Sequence, residues 1–335
     1  MDTTLPKNSI VLVTGGTGFT GAVLVKKLIN QGVTVRVIAR PSPRVKELQD
    51  LGCVVYEGQV YDKAVVEEAS KDVDYIFHVA AAYREACIKD EIYYRVHVES
   101  TKYLAECSLK NKNLKRFVHV STIGVHGHIE EPPADENYRY SPGDQYQITK
   151  LEGELWIREF AKNNNLPLSV IRPAAIYGPG DRRLLKLFKM GKWPIVPLLG
   201  FGKCLYHLTH VEDLTNSFLL AALHPKALNE VFICGAEEPI AMKDIVSIVA
   251  KELNKKPIFI RIPVTPFFLL GDLCELLCKP LGIEPPIYRR RVAFFTKDRA
   301  FNTAKIRNVL GFEYQFSNKT GIIQTLKWYL DNGWM

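Results

Sequence analysis

The sequence predicts a doubly wound, parallel α/β sheet followed by a smaller, mostly helical unit. Three observations carry this. Residues 10–13, I-V-L-V, are an apolar run ending in the glycine cluster T-G-G-T-G-F-T-G over 14–21, and an amphipathic pattern follows. Short apolar runs then alternate with helical periodicity as far as residue 171. Punctuation at Pro173, Gly178, Pro179 and Gly180 marks an exit, beyond which helical patterns dominate.

The first helix shows Val23, Leu24, Leu28 and Ile29 on an apolar face, with Lys26, Lys27 and Gln31 polar. Gly16, Gly18 and Gly21 fit G-x-G-x-x-G, while Gly15, Gly18 and Gly21 fit T-G-x-x-G-x-x-G. Glycine serves where φ is positive or where a Cβ would block a phosphate. A pyrophosphate is expected over the amides that open the helix, at its positive end. The strand before and the helix after separate this motif from an unliganded glycine turn. Residues 34–39 form the second strand. NAD-binding versions of the fold place an acidic residue there, about 20 residues past the glycines, on the ribose 2′-OH. Arg40 holds that place, followed by Pro41, Ser42, Pro43 and Arg44, with no carboxylate before Glu47. A cation suits a 2′-phosphate, so NADP(H) is the expected cofactor and NAD(H) the alternative.

Residues 54–57 are the third strand, 58–62 (G-Q-V-Y-D) a turn, and a helix starts over 65–69. The fourth strand, 75–79, ends in Ala80, Ala81 and Ala82, small enough for a cofactor to approach the backbone. Residues 91–109 read as one long helix containing His97, Ser100 and Thr101, and 116–120 as the fifth strand, ending at Ser121 and Thr122. His126 and His128 make an H-x-H pair with no third ligand at convincing spacing, so no metal site is expected. A helix opens near Asp144 and carries Leu151, Leu155 and Trp156, and 168–171 is the sixth strand. A short helix over 184–190 and an apolar, proline-broken stretch over 193–199 follow. Next come a helix from 210 to 223, a last sheet strand at 231–234, and helices over 242–253 and 266–277 flanking a strand at 258–262. The expected division is a dinucleotide-binding domain of residues 1–176 and 204–236, with a substrate domain of 177–203 and 237–335.

Composition narrows the class. The chain has 335 residues, 47% hydrophobic and 24% charged, with a net charge of +8. The basic residues are scattered, apart from Arg182, Arg183 and Arg289–Arg291, which points to anionic ligands or an anionic membrane surface. No basic–aromatic module accompanies them, so nucleic acid is not expected. Seven cysteines without CxxC pairing suit reduced thiols and a cytoplasmic setting. The start, M-D-T-T-L-P-K-N-S, has no apolar leader, and 267–278 carries Asp272 and Glu275, too short and too charged to span a bilayer. Peripheral membrane contact through 263–283 and a homodimer remain open, and Phe267, Phe268, Leu269 and Leu273 read equally well as domain core.

Tyr146-Gln147-Ile148-Thr149-Lys150 is Y-x-x-x-K, which on a helix sets phenol and ammonium on one face. An ammonium beside a phenol favours the phenolate, making a competent acid/base for a carbonyl/alcohol couple. Thr122, at the end of strand five, is placed to hydrogen-bond the same oxygen. In order along the chain, Thr14–Gly21, His78-Val79-Ala80-Ala81, Ser121-Thr122, Tyr146/Lys150, Arg172-Pro173 and His210-Val211-x-Asp213 resemble the extended short-chain dehydrogenase/reductases. The resemblance covers nearly the whole chain. It implies a Rossmann domain, a C-terminal substrate domain, and Thr122, Tyr146 and Lys150 as the catalytic group. The cofactor-binding set is then Gly15, Thr17, Gly18, Phe19, Gly21, Arg40, Gln59, Val60, Ala80, Ala81, Lys150 and Pro173. Residues 285–292, 294–297 and 310–312 resemble the 3β-hydroxysteroid and sterol dehydrogenase branch, including decarboxylating members. Residues 77–84 also resemble dihydroflavonol-reductase-like and hopanoid-associated epimerase proteins.

Four positions depart from the family pattern. His97 replaces a frequent Asn, Gln59 a usual Asp, and Tyr206-His207 an Arg-Asp pair whose arginine clamps a pyrophosphate in sugar-nucleotide members. Losing that clamp favours a small hydrophobic substrate, a secondary alcohol or ketone. A nucleotide-sugar epimerase, dehydratase or reductase, and a dinucleotide-sensing protein without turnover, are the alternatives.

Overall fold

The computed structural model describes residues 3–82, 89–200, 202, 204–278, 285 and 298–335. The branch-specific segments at 286–292 and 294–297, and Tyr83 and Arg84, lie outside them.

Strand β1 (Ile10–Thr14) is apolar over most of its length because it sits inside the sheet, covered on both faces. Helix α1 (Phe19–Asn30) returns the chain to β2 (Thr34–Ala39). Pro43 then opens α2 (Pro43–Asp50), with Ser42 as N-cap. Proline's fixed φ suits a first helical position, so Pro43 starts this helix rather than preventing it. The chain continues through β3 (Val54–Glu57), α3 (Lys63–Ala69) and β4 (Tyr75–His78). The long helix expected at 91–109 is three pieces: α4 (Asp90–Tyr94), a π turn (Arg95–Glu99) and α5 (Ser100–Leu109). Strand β5 (Arg116–Val120), a 3₁₀ turn (Ile123–His126), α6 (Gln145–Asn164) and β6 (Leu168–Pro173) complete the first run. The sheet order is β11-β6-β5-β4-β1-β2-β3, every pair parallel, with β11 (Val231–Cys234) at one edge. Chain order reverses between β1 and β4, which opens a crevice at the strands' carboxyl ends.

Short pieces build the other wall. They are β7 (Ala175–Tyr177), α7 (Leu185–Met190), β8 (Ile195–Leu199), β9 (Leu205–Tyr206), β10 (Leu208–His210) and α8 (Val211–Leu223). After β11 come β12 (Ile240–Ala241), α9 (Met242–Glu252), β13 (Ile258–Ile262), α10 (Thr265–Cys278), α11 (Ala304–Leu310) and α12 (Asn318–Asp331). The apolar stretch around Pro197 is strand β8, paired in parallel with β13, and Pro197 is tolerated in this two-stranded edge.

One core lies under α1, α2 and α8 and includes Ile306, Leu310 and Phe312 of the α11 region. A second lies on the opposite face with α3, α5 and α6. A third joins α7, α9 and α12 through Phe188, Ile245, Val249, Ile322 and Tyr329. The Asp213 carboxylate accepts the amides of Gln315 (2.9 Å) and Phe316 (3.2 Å), pinning the C-terminal segment to α8. Helix α10 differs: only Gly271 is buried, while Leu269, Leu273, Leu276 and Leu277 are exposed. The core reading of Leu269 and Leu273 is thereby corrected. Among the described residues, no helix is long and apolar enough to cross a membrane.

Candidate active site

The crevice widens into a cleft of about 2450 Å³, lined by the glycine turn, the ends of β4 and β5, α6 and the C-terminal wall. That exceeds an ordinary small-molecule pocket and suits a dinucleotide with a second ligand. Every residue of the expected cofactor set and catalytic group lines it: Gly15, Thr17, Gly18, Phe19, Gly21, Arg40, Gln59, Val60, Ala80, Ala81, Thr122, Tyr146, Lys150 and Pro173.

The glycine turn is built for close approach. A Cβ on Gly21 would overlap the Gly15 carbonyl oxygen, so the turn could not close on any other residue. Gly15 itself has φ +75. Helix α1 starts with no side chain capping its first amides, the arrangement that receives a phosphate. Arg40 is exposed at the end of β2, and Arg44, in the first turn of α2, donates to the Thr17 carbonyl. Arg44 thus joins Arg40 at the cleft, and both cations belong to the R-P-S-P-R pattern.

The catalytic face belongs to α6. Asp144 is its N-cap, accepting from the Gln147 amide at 2.8 Å. Tyr146, Lys150 and Glu154 follow at four-residue spacing on one face. Lys150 is buried, and its Nζ donates to the Val120 carbonyl at 2.6 Å, tying α6 to the end of β5. Burial pulls the Lys150 ammonium down to about 8, against the pull of the Glu154 charge, so it stays a cation at neutral pH. Thr122 Oγ1 accepts from the Gly124 amide at 3.0 Å, which orients the hydroxyl at the cleft.

Behind this face stands a buried ion pair. Arg172 Nε donates to Glu154 Oε2 at 3.0 Å, and Arg172 Nη2 to Glu154 Oε1 at 2.5 Å, both side chains fully buried. Arg172 also donates to the Glu136 carbonyl, the Tyr140 hydroxyl and His126 Nε2. His126 Nδ1 in turn donates to the Arg139 carbonyl at 3.2 Å. Burial alone would raise the Glu154 carboxyl, but the Arg172 hydrogen bonds and charge outweigh it and hold it below its ordinary value. One half of the H-x-H pair is thus committed to an arginine. No motif in the sequence joins Glu154 to Arg172, although the four-residue continuation of Y-x-x-x-K to Glu154 is an available signal.

Across the cleft, Tyr206 is buried and its phenol pushed up by burial. His207 Nε2 donates to the Ala236 carbonyl at 2.7 Å, and Nδ1 accepts the Phe301 amide at 3.1 Å. The ring of His207 therefore serves the fold. Arg299 bridges by backbone to Tyr206, and its amide donates to the Leu205 carbonyl at 2.8 Å. It also lines the cleft, a cation that no sequence motif marks.

Likeness to known proteins agrees with this geometry. The NAD dependent epimerase/dehydratase family matches residues 11–235, which span the glycine turn, Thr122, the Tyr146/Lys150 pair and the last sheet strand. The chain belongs to this family. It is an NAD(P)-dependent enzyme of the extended short-chain dehydrogenase/reductase type. A 3beta-hydroxysteroid-dehydrogenase/decarboxylase of Arabidopsis thaliana is 27% identical, over 94% of this chain and 78% of its own length. An N-acetyl-alpha-D-glucosaminyl-diphospho-ditrans,octacis-undecaprenol 4-epimerase of Escherichia coli O157:H7 is 26% identical, over 96% of this chain and 95% of its own. The crystal structure of gox2253 matches with a TM-score of 0.83 at 24% identity, covering 98% of this chain and 100% of that one. The Gly15–Gly21 turn, with its uncapped helix start, fits the nicotinamide dinucleotide that an NAD(P)-dependent enzyme requires.

Proposed function

We propose that this enzyme interconverts a secondary alcohol and a ketone on a hydrophobic substrate, with the steroid and sterol dehydrogenases as its functional kin. The observation that carries this reading is the apolar part of the cleft lining, where Leu184, Leu187, Met190, Trp193, Leu199 and Trp328 offer apolar surface. The cofactor, when bound, supplies hydride exchange. The residues of the chain do the rest. Tyr146 gives or takes the proton at the substrate oxygen. Thr122 donates a hydrogen bond to that oxygen. Lys150, held on the Val120 carbonyl, would supply positive charge to the site and would hold the cofactor ribose. Gln59 and Val60 would hold the adenine end of the cofactor, and Pro173 would bound its nicotinamide end.

Arg299 favours a second reading, a nucleotide sugar or another substrate with an acidic head, because it puts a cation beside Tyr206, where a phosphate clamp would be needed. Calorimetry on the cofactor-loaded protein separates the two. A 3β-hydroxysteroid is expected to bind and UDP-glucose to bind poorly; a micromolar UDP-glucose complex would put the second reading first.

Cofactor choice is part of the proposal. Arg40, with Arg44 close by in α2, supports a preference for NADP(H) over NAD(H). Losing a hydrogen bond to a charged group costs about 1.5–3 kcal/mol. Arg40→Asp is therefore expected to weaken NADP(H) by at least that much while leaving NAD(H) nearly unchanged in a fluorescence titration. Equal losses for both cofactors would remove the preference.

A further inference from the structure

Two buried histidines lie between the glycine turn and the catalytic helix, and their hydrogen bonds can be followed donor by donor. Thr101 gives its one hydroxyl proton to the His97 carbonyl at 2.7 Å, so towards His78 Nε2, 3.0 Å away, it accepts. The neutral His78 ring therefore carries its proton on Nε2, and its Nδ1 accepts from the Thr14 hydroxyl at 2.8 Å. Thr14 Oγ1 also accepts the Ala80 amide at 3.2 Å. The His97 carbonyl belongs to the π turn, and a Cβ on Gly153 of α6 would overlap its oxygen. Gly153 therefore lets the catalytic helix pack directly on the turn.

The His97 ring makes the second connection. Its Nε2 accepts the Ala82 amide at 3.0 Å, just past the small residues at the end of β4. An amide can only donate, so the ring proton sits on Nδ1, which donates to Thr149 Oγ1 at 2.8 Å. Thr149 donates in turn to the Gln145 carbonyl at 2.8 Å, inside the first turn of α6. The same ring meets Tyr146 edge-on, with centroids 5.2 Å apart.

We propose that His97 is a positioning residue, a neutral Nδ1–H imidazole that fixes Tyr146 and the first turn of α6 against the exit of β4. The proposal rests on the reading of Tyr146 as the acid/base. Both ring nitrogens are committed, one to a backbone amide and one to a threonine, so the ring has no open site from which to carry a proton to solvent. The groups facing it are His78 of β4, His119 of β5, Lys150, Tyr146 and Thr149 of α6, and Tyr93 of α4. Burial first, then the Lys150 charge and His78, hold it well below the ordinary imidazole value. A proton on Nε2 would oppose the Ala82 amide donor to donor. π turns commonly sit at functional sites, and this one places the clamp.

The test has two arms. The first needs no substrate: nitrogen-resolved NMR of the full chain labelled with ¹⁵N-histidine, from pH 8 to pH 5. The histidine signal that disappears in His97→Gln should show Nδ1 protonated and Nε2 bare, unchanged across the range. The opposite tautomer, or titration within the range, overturns the proposal whatever the substrate proves to be. The second arm compares His97→Leu and His97→Gln, using reduction of the cofactor by a 3β-hydroxysteroid. Misplacing a reacting group by about 1 Å costs on the order of 10²-fold. His97→Leu should lose on that order in kcat, with KM and cofactor affinity little changed. His97→Gln, which can still accept the Ala82 amide, should recover part of the loss. A melting temperature lowered in His97→Leu with kcat intact would mean an ordinary core residue, and loss of an ionisation from the pH profile would mean an acid/base. Either result overturns the positioning role. If the steroid gives no turnover with wild type, the substrate reading fails while the NMR arm still decides the clamp.

Discussion

Helices α6 and α10 are held in opposite ways. Helix α6 turns buried polar groups inward and satisfies them: Lys150 on the Val120 carbonyl, Glu154 on Arg172, and Thr149 between His97 and its own first turn. Helix α10 buries only Gly271 and leaves Leu269, Leu273, Leu276 and Leu277 exposed. The first is shaped by the chain's own hydrogen bonds, so its geometry is set before any ligand arrives. The second presents apolar area to its surroundings. A catalytic face needs directional bonds to fix its groups, and the buried polar groups of α6 supply them, whereas the exposed leucines of α10 offer only apolar area.

The sharpest way to break this contrast is to open the buried pair. Glu154→Gln leaves the Arg172 guanidinium without its countercharge at a fully buried position. Removing one partner of such a pair costs about 3–5 kcal/mol. The denaturant midpoint is expected to fall accordingly, and a change below about 1 kcal/mol, the scale of a surface pair, would mean that the pair is not what holds α6 on β6.

Acid should act through two buried histidines, His78 in β4 and His210 at the start of α8. Burial lowers His78 to about 3 and His210 to about 4, from an ordinary 6.5. Below pH 6.5 the unfolded chain takes up protons that the native state refuses. Their contribution is therefore fully present above pH 6.5 and is lost as pH falls toward the folded values. Each histidine contributes a slope of about 1.4 kcal/mol per pH unit in that window. His78→Gln should flatten the stability profile below pH 6.5, measured by urea unfolding, whereas an unchanged slope would contradict the burial argument.

The smallest effect is expected on the other helix. Leu276→Glu changes an exposed side chain, so folding stability should move by no more than about 0.5 kcal/mol. A larger loss in unfolding experiments would show that this leucine packs in a core and would erase the contrast between the two helices.

The same contrast explains what the sequence reveals. The parallel sheet, the glycine turn and Tyr146/Lys150 are legible because each leaves a spacing: apolar runs, G-x-x-G-x-x-G, and i to i+4 on a helix. The π turn is not, because Arg95–Glu99 keeps a helical pattern and one extra residue per turn is invisible in hydrophobic periodicity. Helix α2 is hidden by prolines that start helices as readily as they break them. Strands β7, β9, β10 and β12, two or three residues each, are too short for any alternation to show. Arg299 leaves no signal because it joins Tyr206 from far along the chain, a neighbour set by topology alone.

The central claim, that Tyr146 exchanges a proton with the oxygen of an apolar alcohol or ketone, is tested most directly by nicotinamide absorbance. Wild type and Tyr146→Phe are compared on a panel of sterols, flavonoids and nucleotide sugars, with cofactor affinity measured in parallel. Wild type is expected to turn over an apolar member of the panel. Tyr146→Phe is expected to lose on the order of 10²–10⁴ in rate with cofactor binding nearly intact. Turnover of Tyr146→Phe at the wild-type rate on that substrate would contradict proton exchange at the Tyr146 hydroxyl.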